Sequence, residues 1–410
     1  MPSLLVRDLA QVASPAGRTA PLRGAQLRDV DVVEDAFVLC QDGRVAAVGA
    51  MRDLPGLRGL PARADLEEID GRGLCAVPGL VDCHTHPAFG GDRVDEFALR
   101  AGGASYEELH AAGGGILSTV RATRAAGPDG LRAAVDRHAG WMLGHGTTTW
   151  EGKSGYGLDR DVELASLDAV AAAGGIPTWL GAHAVPPEFA DADAYLDFAL
   201  ADVLPAAARV AQAADVFLER GAFDAAQGRR YLEACRTAGL DLRLHGDQFT
   251  ESGAIPLAVE LGARSVDHLE ATGPAGVAAL AASDTVGVLL PASALFLDRP
   301  QGPARALVDA GAAVALATDF NPGSSFTASL PLVCSLAATQ LQLAPSEALA
   351  AVTVNAAHVL GLAADRGRLA PGFRADLVLL DAPDWRYLAY RLAGDLVAGV
   401  IRAGTVAYRR

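Results

Sequence analysis

Lysine is all but missing from this 410-residue chain: Lys153 is the only one, and every other basic side chain apart from histidine is arginine. Positive charge is scarce altogether. Thirty-four Lys and Arg face 49 Asp and Glu, a formal net charge of −15, which argues against binding nucleic acid by phosphate neutralisation. Cysteine is sparse as well. The five (Cys40, Cys75, Cys83, Cys235 and Cys334) are scattered with no CxxC pair, as suits reduced, buried thiols rather than a disulfide framework. No uninterrupted apolar run is long enough to span a bilayer. The stretch Met1 to Gly17 carries Arg7 and Asp8 inside its apolar part and has no signal-peptide core. These absences lead to the expectation of a cytoplasmic protein with neither nucleic-acid nor membrane partners. Apolar residues are plentiful: 51% hydrophobic against 20% charged, ample for a large core. The length suggests about two or three domains.

One stretch organises the rest: Val77-Pro78-Gly79-Leu80-Val81-Asp82-Cys83-His84-Thr85-His86. It reads as a short buried strand punctuated by Pro78-Gly79. Along a strand, residues i and i+2 face the same way, so His84 and His86 project together, as two imidazoles sharing one metal ion must. The bland alternative is a pair of satisfied core histidines.

Residues 1 to about 76 read as short strands and turns. Phe37–Cys40 and Arg44–Val48 flank Asp42-Gly43, a hairpin signal. From Gly79 the pattern changes to alternating strands and helices. The expected strands are Leu80–His86, Thr147–Lys153, Thr178–His183, Val216–Glu219, Leu242–His245, Ser265–Glu270, Val286–Pro291 and Ala313–Asp319. Helical spacing appears at Gly130–Leu143, Asp161–Ala173, Pro205–Ala213 and Gln227–Ala238. Eight strands alternating with helices over roughly 250 residues is the arithmetic of an α/β fold of the (β/α)8 TIM-barrel type, whose chemistry sits at the carboxyl ends of the strands. A doubly wound open sheet is the alternative, but it would want a Gly-rich phosphate loop where this chain has His-Thr-His. Beyond Ala344 a helix through Glu347 to Val352 is expected, with Ser346 as N-cap. The β-rich ends, 1–78 and 360–410, are expected to meet as a small β-sandwich domain, with the barrel at 79–359.

The expected strand ends hold His84 and His86, His183, Glu219, His245, His268 and Asp319. The other four of the nine histidines (His110, His138, His145 and His358) fall in helices or loops. Two histidines on the first strand, one each on the fifth and sixth, and an aspartate on the eighth resemble the amidohydrolase superfamily of metal-dependent hydrolases. Members with two metals bridge them by a carboxylated lysine on the fourth strand. Here that strand ends in Glu219 and the lone lysine lies on the second. One metal per subunit is therefore expected, Zn2+ or Fe3+, bound by His84, His86, His245 and Asp319. A second metal bridged by Glu219 is the alternative, as is a Glu219 that merely pairs with an arginine.

Longer stretches narrow the resemblance. They are Phe89-Gly90-Gly91-Asp92-Arg93, Gly102 to Tyr106, Gly113 to Arg121, Lys153-Ser154-Gly155-Tyr156-Gly157-Leu158, Gly181-Ala182-His183, His245-Gly246-Asp247-Gln248-Phe249, Val266 to Glu270, and Ala317-Thr318-Asp319-Phe320-Asn321-Pro322-Gly323-Ser324-Ser325. From about Arg18 onward they resemble the imidazolonepropionase family. The resemblance implies a homodimer that hydrolyses 4-imidazolone-5-propanoate to N-formimidoyl-L-glutamate in histidine degradation. It also implies substrate contacts at Arg93, Tyr156, His183, Gln248, Asn321, Gly323 and Ser324. The residue chemistry agrees. Arg93 suits a carboxylate clamp. Tyr156 sits in a Gly-flanked loop expected to be free to close over a ligand. Asn321 and Ser324 can hydrogen-bond the substrate. Asp319 can ligate metal and take a proton, and His268 can polarise a carbonyl. Gln248 can hold a ring but cannot shuttle a proton. The competing readings are a purine or pyrimidine aminohydrolase, which would not need Arg93, and a barrel that has lost its metal.

Overall fold

The computed structural model describes residues 3–17, 19–62, 65–103 and 114–410. Arg18, Ala104-Ser105-Tyr106, His110 and Gly113 of the sequence reading lie outside them.

The chain opens with β1 (Ser3–Pro15), β2 (Val30–Gln41), β3 (Arg44–Ala50), β4 (Leu66–Asp70) and β5 (Cys75–Pro78). Two of these correct the expectation of short strands, since β1 runs for 13 residues and β2 for 12. The charged pair Arg7-Asp8 interrupts the apolar pattern without ending β1. The register against β2 slips between Val6 and Leu9, and Asp8 takes a positive φ of 55°, so a bulge absorbs the pair. The β2–β3 hairpin turns on Asp42 (φ 51°) and Gly43 (φ 75°), the two positive values a two-residue primed turn needs.

The barrel follows: β6 (Leu80–Asp82), β7 (Thr147–Lys153), β8 (Ile176–Ala182), β9 (Ala213–Leu218), β10 (Asp241–Gly246), β11 (Ser265–His268), β12 (Val286–Leu289) and β13 (Val314–Leu316). Each pairs in parallel with the next. The ring closes just past the first and last strands, where His86 N–H donates to Phe320 O at 2.8 Å and Asp319 N–H donates to His84 O at 3.0 Å. β7 and β8 are buried along their whole length, as befits strands with a packed interior on one face and helices on the other.

Two helical expectations are corrected. Pro205–Ala213 holds only the short helix Leu204–Ala207, because Ala213 already opens β9; burial in a central strand overrides alanine's helical preference. Ser346 is not an N-cap. The helix Pro345–Ala350 starts on Pro345, and Glu347 accepts the Ala344 amide at 2.7 Å. The helix expected at Gly130–Leu143 is the second half of Ile116–Gly144, broken where Gly127 (φ 65°) meets Pro128.

The chain ends in β14 (Leu377–Leu380), β15 (Val397–Arg402) and β16 (Thr405–Arg409). β14 pairs antiparallel with β5, so the two ends of the sequence share one sheet. That sheet rolls onto itself, with Ala375 N–H donating to Gly43 O and Val45 N–H to Phe373 O. Its strands enclose a core of Leu4, Val6, Val38, Cys40, Leu377 and Ile401. Gly79 joins sheet to barrel where a β-carbon would strike Thr148 and Asp376, so only glycine fits this crossing. Among the described residues no helix is long and apolar enough to cross a membrane.

Candidate metal centre and active-site cavity

β6 ends at Asp82, but its extended backbone continues to His86 through the closing bonds with Asp319 and Phe320. This keeps His84 and His86 on one side. Their Nε2 atoms lie 3.2 Å apart, and His245, from β10, brings its own Nε2 to 3.3 Å from that of His86. Asp319 Oδ1 stands 3.4 Å from His84 Nε2 and 3.5 Å from His86 Nε2. His268 joins the same group with His84 and Asp319. All five side chains are buried.

The protonation pattern makes this a cation site. His84 Nδ1 is 2.6 Å from Asp267 Oδ2, and His245 Nδ1 is 3.0 Å from Asp215 Oδ1. Burial raises the Asp267 carboxyl to about 7 against the pull of the Lys153 ammonium; where Asp267 and Asp215 are ionised they can only accept, and each Nδ1 then carries the proton. The Nε2 atoms of His84 and His245 are then bare lone pairs, the first turned toward Asp319 Oδ1 and both toward His86 Nε2. Burial pushes the His84 imidazolium far below its usual range, helped by the nearby Lys153 ammonium. Burial outweighs Asp215 and brings His245 to about 4. Acceptors crowded against acceptors are stable only around a cation. Ligands about 2.0–2.1 Å from a tetrahedral ion stand about 3.3 Å apart, which is the spacing seen, so the residues fit a transition metal with nitrogen-rich ligation.

A cavity of about 520 Å3 opens over this cluster. Eleven of the twelve residues expected to bind metal or substrate or to act in catalysis line it, and His84 lies beneath with no exposure. His268 and Asp319 hold their places in left-handed backbone, at φ 87° and 53°, a strain of about 1–3 kcal/mol each that is typical of functional sites. Burial lowers the His268 pKa, but Glu270 and Asp319 more than compensate and raise it. His183 Nδ1 bonds Gly155 O at 2.9 Å, and burial brings its pKa to about 3. It therefore offers a neutral Nε2.

Several surroundings differ from expectation. The Tyr156 loop is not free to close. The buried Glu163 carboxylate accepts the amides of Gly155, Gly157 and Leu158 at 2.8–3.0 Å, which fixes the buried Tyr156 ring 5.2 Å from His183. Asn321 is used up by its own turn. Its amide donates to Asp319 O and Ser324 Oγ, and its oxygen accepts Gly323 N–H and Ser324 N–H. Ser324 Oγ in turn reaches Asp319 Oδ2 at 3.3 Å. Arg93 is already paired through Nε and Nη2 with Glu96. Among the contacts of the described residues, Glu219 has no ion pair with an arginine side chain and no place in the metal cluster. It accepts from Phe249 N–H, Thr250 N–H and Thr250 Oγ1, tying the end of β9 to the loop that carries Gln248. Of the histidines set aside in the sequence, His138 bonds Pro87 O at 2.8 Å and so supports the chain just past His86.

The sequence reading missed the groups behind the ligands: Asp215, Asp267, Glu151 and Arg243, all fully buried on barrel strands. Charged residues inside otherwise apolar strands were the signal available.

Comparison with known proteins agrees with the geometry. The model of the amidohydrolase family matches residues 75–407. The imidazolonepropionase of Rubrobacter xylanophilus is 60% identical over 408 residues, covering 98% of each chain. That of Chloroflexus aggregans is 46% identical over 98% of each, and that of Deinococcus radiodurans 44% over 98% of this chain and 99% of its own. In fold, the chain is similar to Escherichia coli guanine deaminase (TM-score 0.75, 16% identity, 100% of this chain and 99% of that one). It is also similar to a zinc-bound adenosine deaminase from Xanthomonas campestris (TM-score 0.69, 20% identity, 98% and 92%). The chain belongs to the amidohydrolase family and, within it, to the imidazolonepropionases.

Proposed function

We propose that this chain hydrolyses 4-imidazolone-5-propanoate to N-formimidoyl-L-glutamate, a ring-opening step of histidine degradation, with one Zn2+ or Fe3+ per subunit held by His84, His86, His245 and Asp319. The observation that carries the reading is the joining, in one cavity, of a lone-pair cluster with the carboxylate-binding group Arg93. A ring-opening hydrolase of an anionic cyclic amide needs both.

The reaction breaks the amide C–N bond of the ring. The carbonyl carbon gains a hydroxyl from water and the ring nitrogen gains a hydrogen. A bound metal supplies Lewis acidity and lowers the pKa of its water toward about 7. Asp319, ionised and steadied by Ser324, takes the proton of the attacking water and returns it to the departing nitrogen. His268 donates to the carbonyl oxygen as its charge grows, a role suited to its raised pKa. Arg93, held by Glu96 with Nη1 against Gly323, receives the propionate. Tyr156, His183 and Gln248 hold the ring, while Asn321 and Gly323 shape the loop beneath it. The free, buried state of all five cysteines supports a cytoplasmic setting, and the family resemblance supports a homodimer.

The deciding experiment is elemental analysis of purified protein, followed by chelation and metal add-back with freshly made substrate. About one zinc or iron per chain, with ring opening that falls and returns with metal, is expected. Two metals per chain, or one metal without ring opening, would overturn the proposal.

A further inference from the structure

Below the metal cluster lies a buried charged layer that the mechanism does not use. Lys153 Nζ stands 2.6 Å from Asp215 Oδ2, 2.8 Å from Glu151 Oε2 and 3.8 Å from Asp267 Oδ2, and all four side chains are fully buried. Asp215 and Asp267 are the same two carboxylates that receive the Nδ1 protons of His245 and His84. Asp215 Oδ1 also accepts the backbone N–H of His245 at 3.1 Å. Glu151 faces the other way and is shared with Arg243 and Thr178. One ammonium group thus joins two imidazole–carboxylate pairs.

The geometry points to Lys153 as a positioning residue for the metal centre: it clasps Asp215 and Asp267 so that His84 and His245 are held in one tautomer and one orientation, with both Nε2 lone pairs directed at the ion. This inference rests on the reading of those histidines as metal ligands. Its physical basis is charge and shape together. Asp215 and Asp267 sit on alternate strands, β9 and β11, and without a cation between them two buried carboxylates would repel. One would turn away, and its histidine would lose the acceptor that fixes Nδ1–H. A carboxylate behind a ligand also makes the imidazole a stronger donor. The only lysine of the chain therefore stands where a compact ammonium donates to Asp215 and has two further carboxylates within 4 Å, a place that a planar guanidinium of greater width would not match.

The test uses the full chain. Metal affinity of the apoprotein is measured by competition with a chromophoric zinc chelator for the wild type, Lys153→Met and Glu151→Gln, with thermal unfolding of each apoprotein run alongside. Lys153→Met is expected to bind zinc about 10–100-fold more weakly. Glu151→Gln, which disturbs the same layer without touching a ligand histidine, is expected to lower apoprotein stability with metal affinity changed less than threefold. Equal affinity in wild type and Lys153→Met, or an equal loss in both variants, overturns the inference. A second measurement needs no variant. Because there is one lysine, labelling with 13Cε-lysine gives a single side-chain resonance in the wild type. It is expected to shift when zinc is removed and to return on add-back; a resonance indifferent to metal overturns the inference. A wild type that binds no metal would instead refute the metal-centre reading itself.

Discussion

Gly323 and Arg93 occupy adjoining space: a β-carbon on Gly323 would coincide with the guanidinium Nη1 of Arg93. The glycine two residues after Asn321 thus admits the arginine to the cavity. Gly323→Ala should push Arg93 from its place and raise KM about tenfold, equivalent to about 1.4 kcal/mol, with kcat and unfolding temperature little changed. Steady-state kinetics decide it, and an unchanged KM would remove Arg93 from the substrate contacts.

Glu96 holds two nitrogens of that same guanidinium and also accepts the Gly115 amide at 2.7 Å. Glu96→Gln should loosen Arg93 and weaken substrate binding by about 1–2 kcal/mol, since a charge-assisted pair is lost. A KM that falls would show that Glu96 competes with the substrate for Arg93.

Asp319 and Gln248 line the same cavity with different chemistry. Asp319→Ala is expected to lower kcat by about 10²–10⁴ or more, and to weaken metal binding. Gln248→Ala should act mainly on KM. Equal losses of kcat in the two variants would show that the division of roles is wrong.

Glu163 fixes the Tyr156 loop by accepting three amides with one carboxylate. Glu163→Gln replaces an acceptor oxygen by an NH2 that faces amide donors. A loss of about 1–3 kcal/mol of stability is expected in urea unfolding, with a raised KM because Tyr156 is released. Normal stability and KM would mean that the loop has other support.

Glu347 gives a pH-dependent prediction away from the metal. Burial opposes its charge, yet Arg305, the Ala344 amide and Arg28 together lower its pKa. Its carboxylate meets Arg305 at 2.9 Å and Arg28 at 2.9 Å. A depressed folded-state pKa contributes stability above the unfolded value of about 4.3 and loses it as pH falls through the folded value. The stability difference between wild type and Glu347→Gln, both metal-free, should be about 1–3 kcal/mol at pH 7 and shrink below about pH 4. A difference constant with pH would mean that Glu347 contributes by packing alone.

The clustering of the candidate ligands could be read from one dimension because it depends on local rules. A strand repeats every two residues, so His84 and His86 had to point together, and apolar runs ending in His245, His268 and Asp319 marked strand ends. The Asp42-Gly43 turn was legible for the same reason, since its positive φ values are a property of two residues. What surrounds the ligands was not. Lys153, Asp215 and Asp267 come from β7, β9 and β11, separated by more than fifty residues at each step, and meet only because closing a barrel stacks alternate strands into one interior layer. Arg93 was expected as a carboxylate clamp; its pairing with Glu96 is itself local, an i,i+3 contact at the start of the helix Val94–Ala101. The mobility expected of the Gly-flanked Tyr156 loop was wrong because Glu163, one helix onward, turns back to bind it. Sequence by itself determined which of the candidate side chains meet at the cavity. Tertiary structure alone decided what charges stand behind them, because buried charge must find its counter-charge wherever the fold brings one within reach.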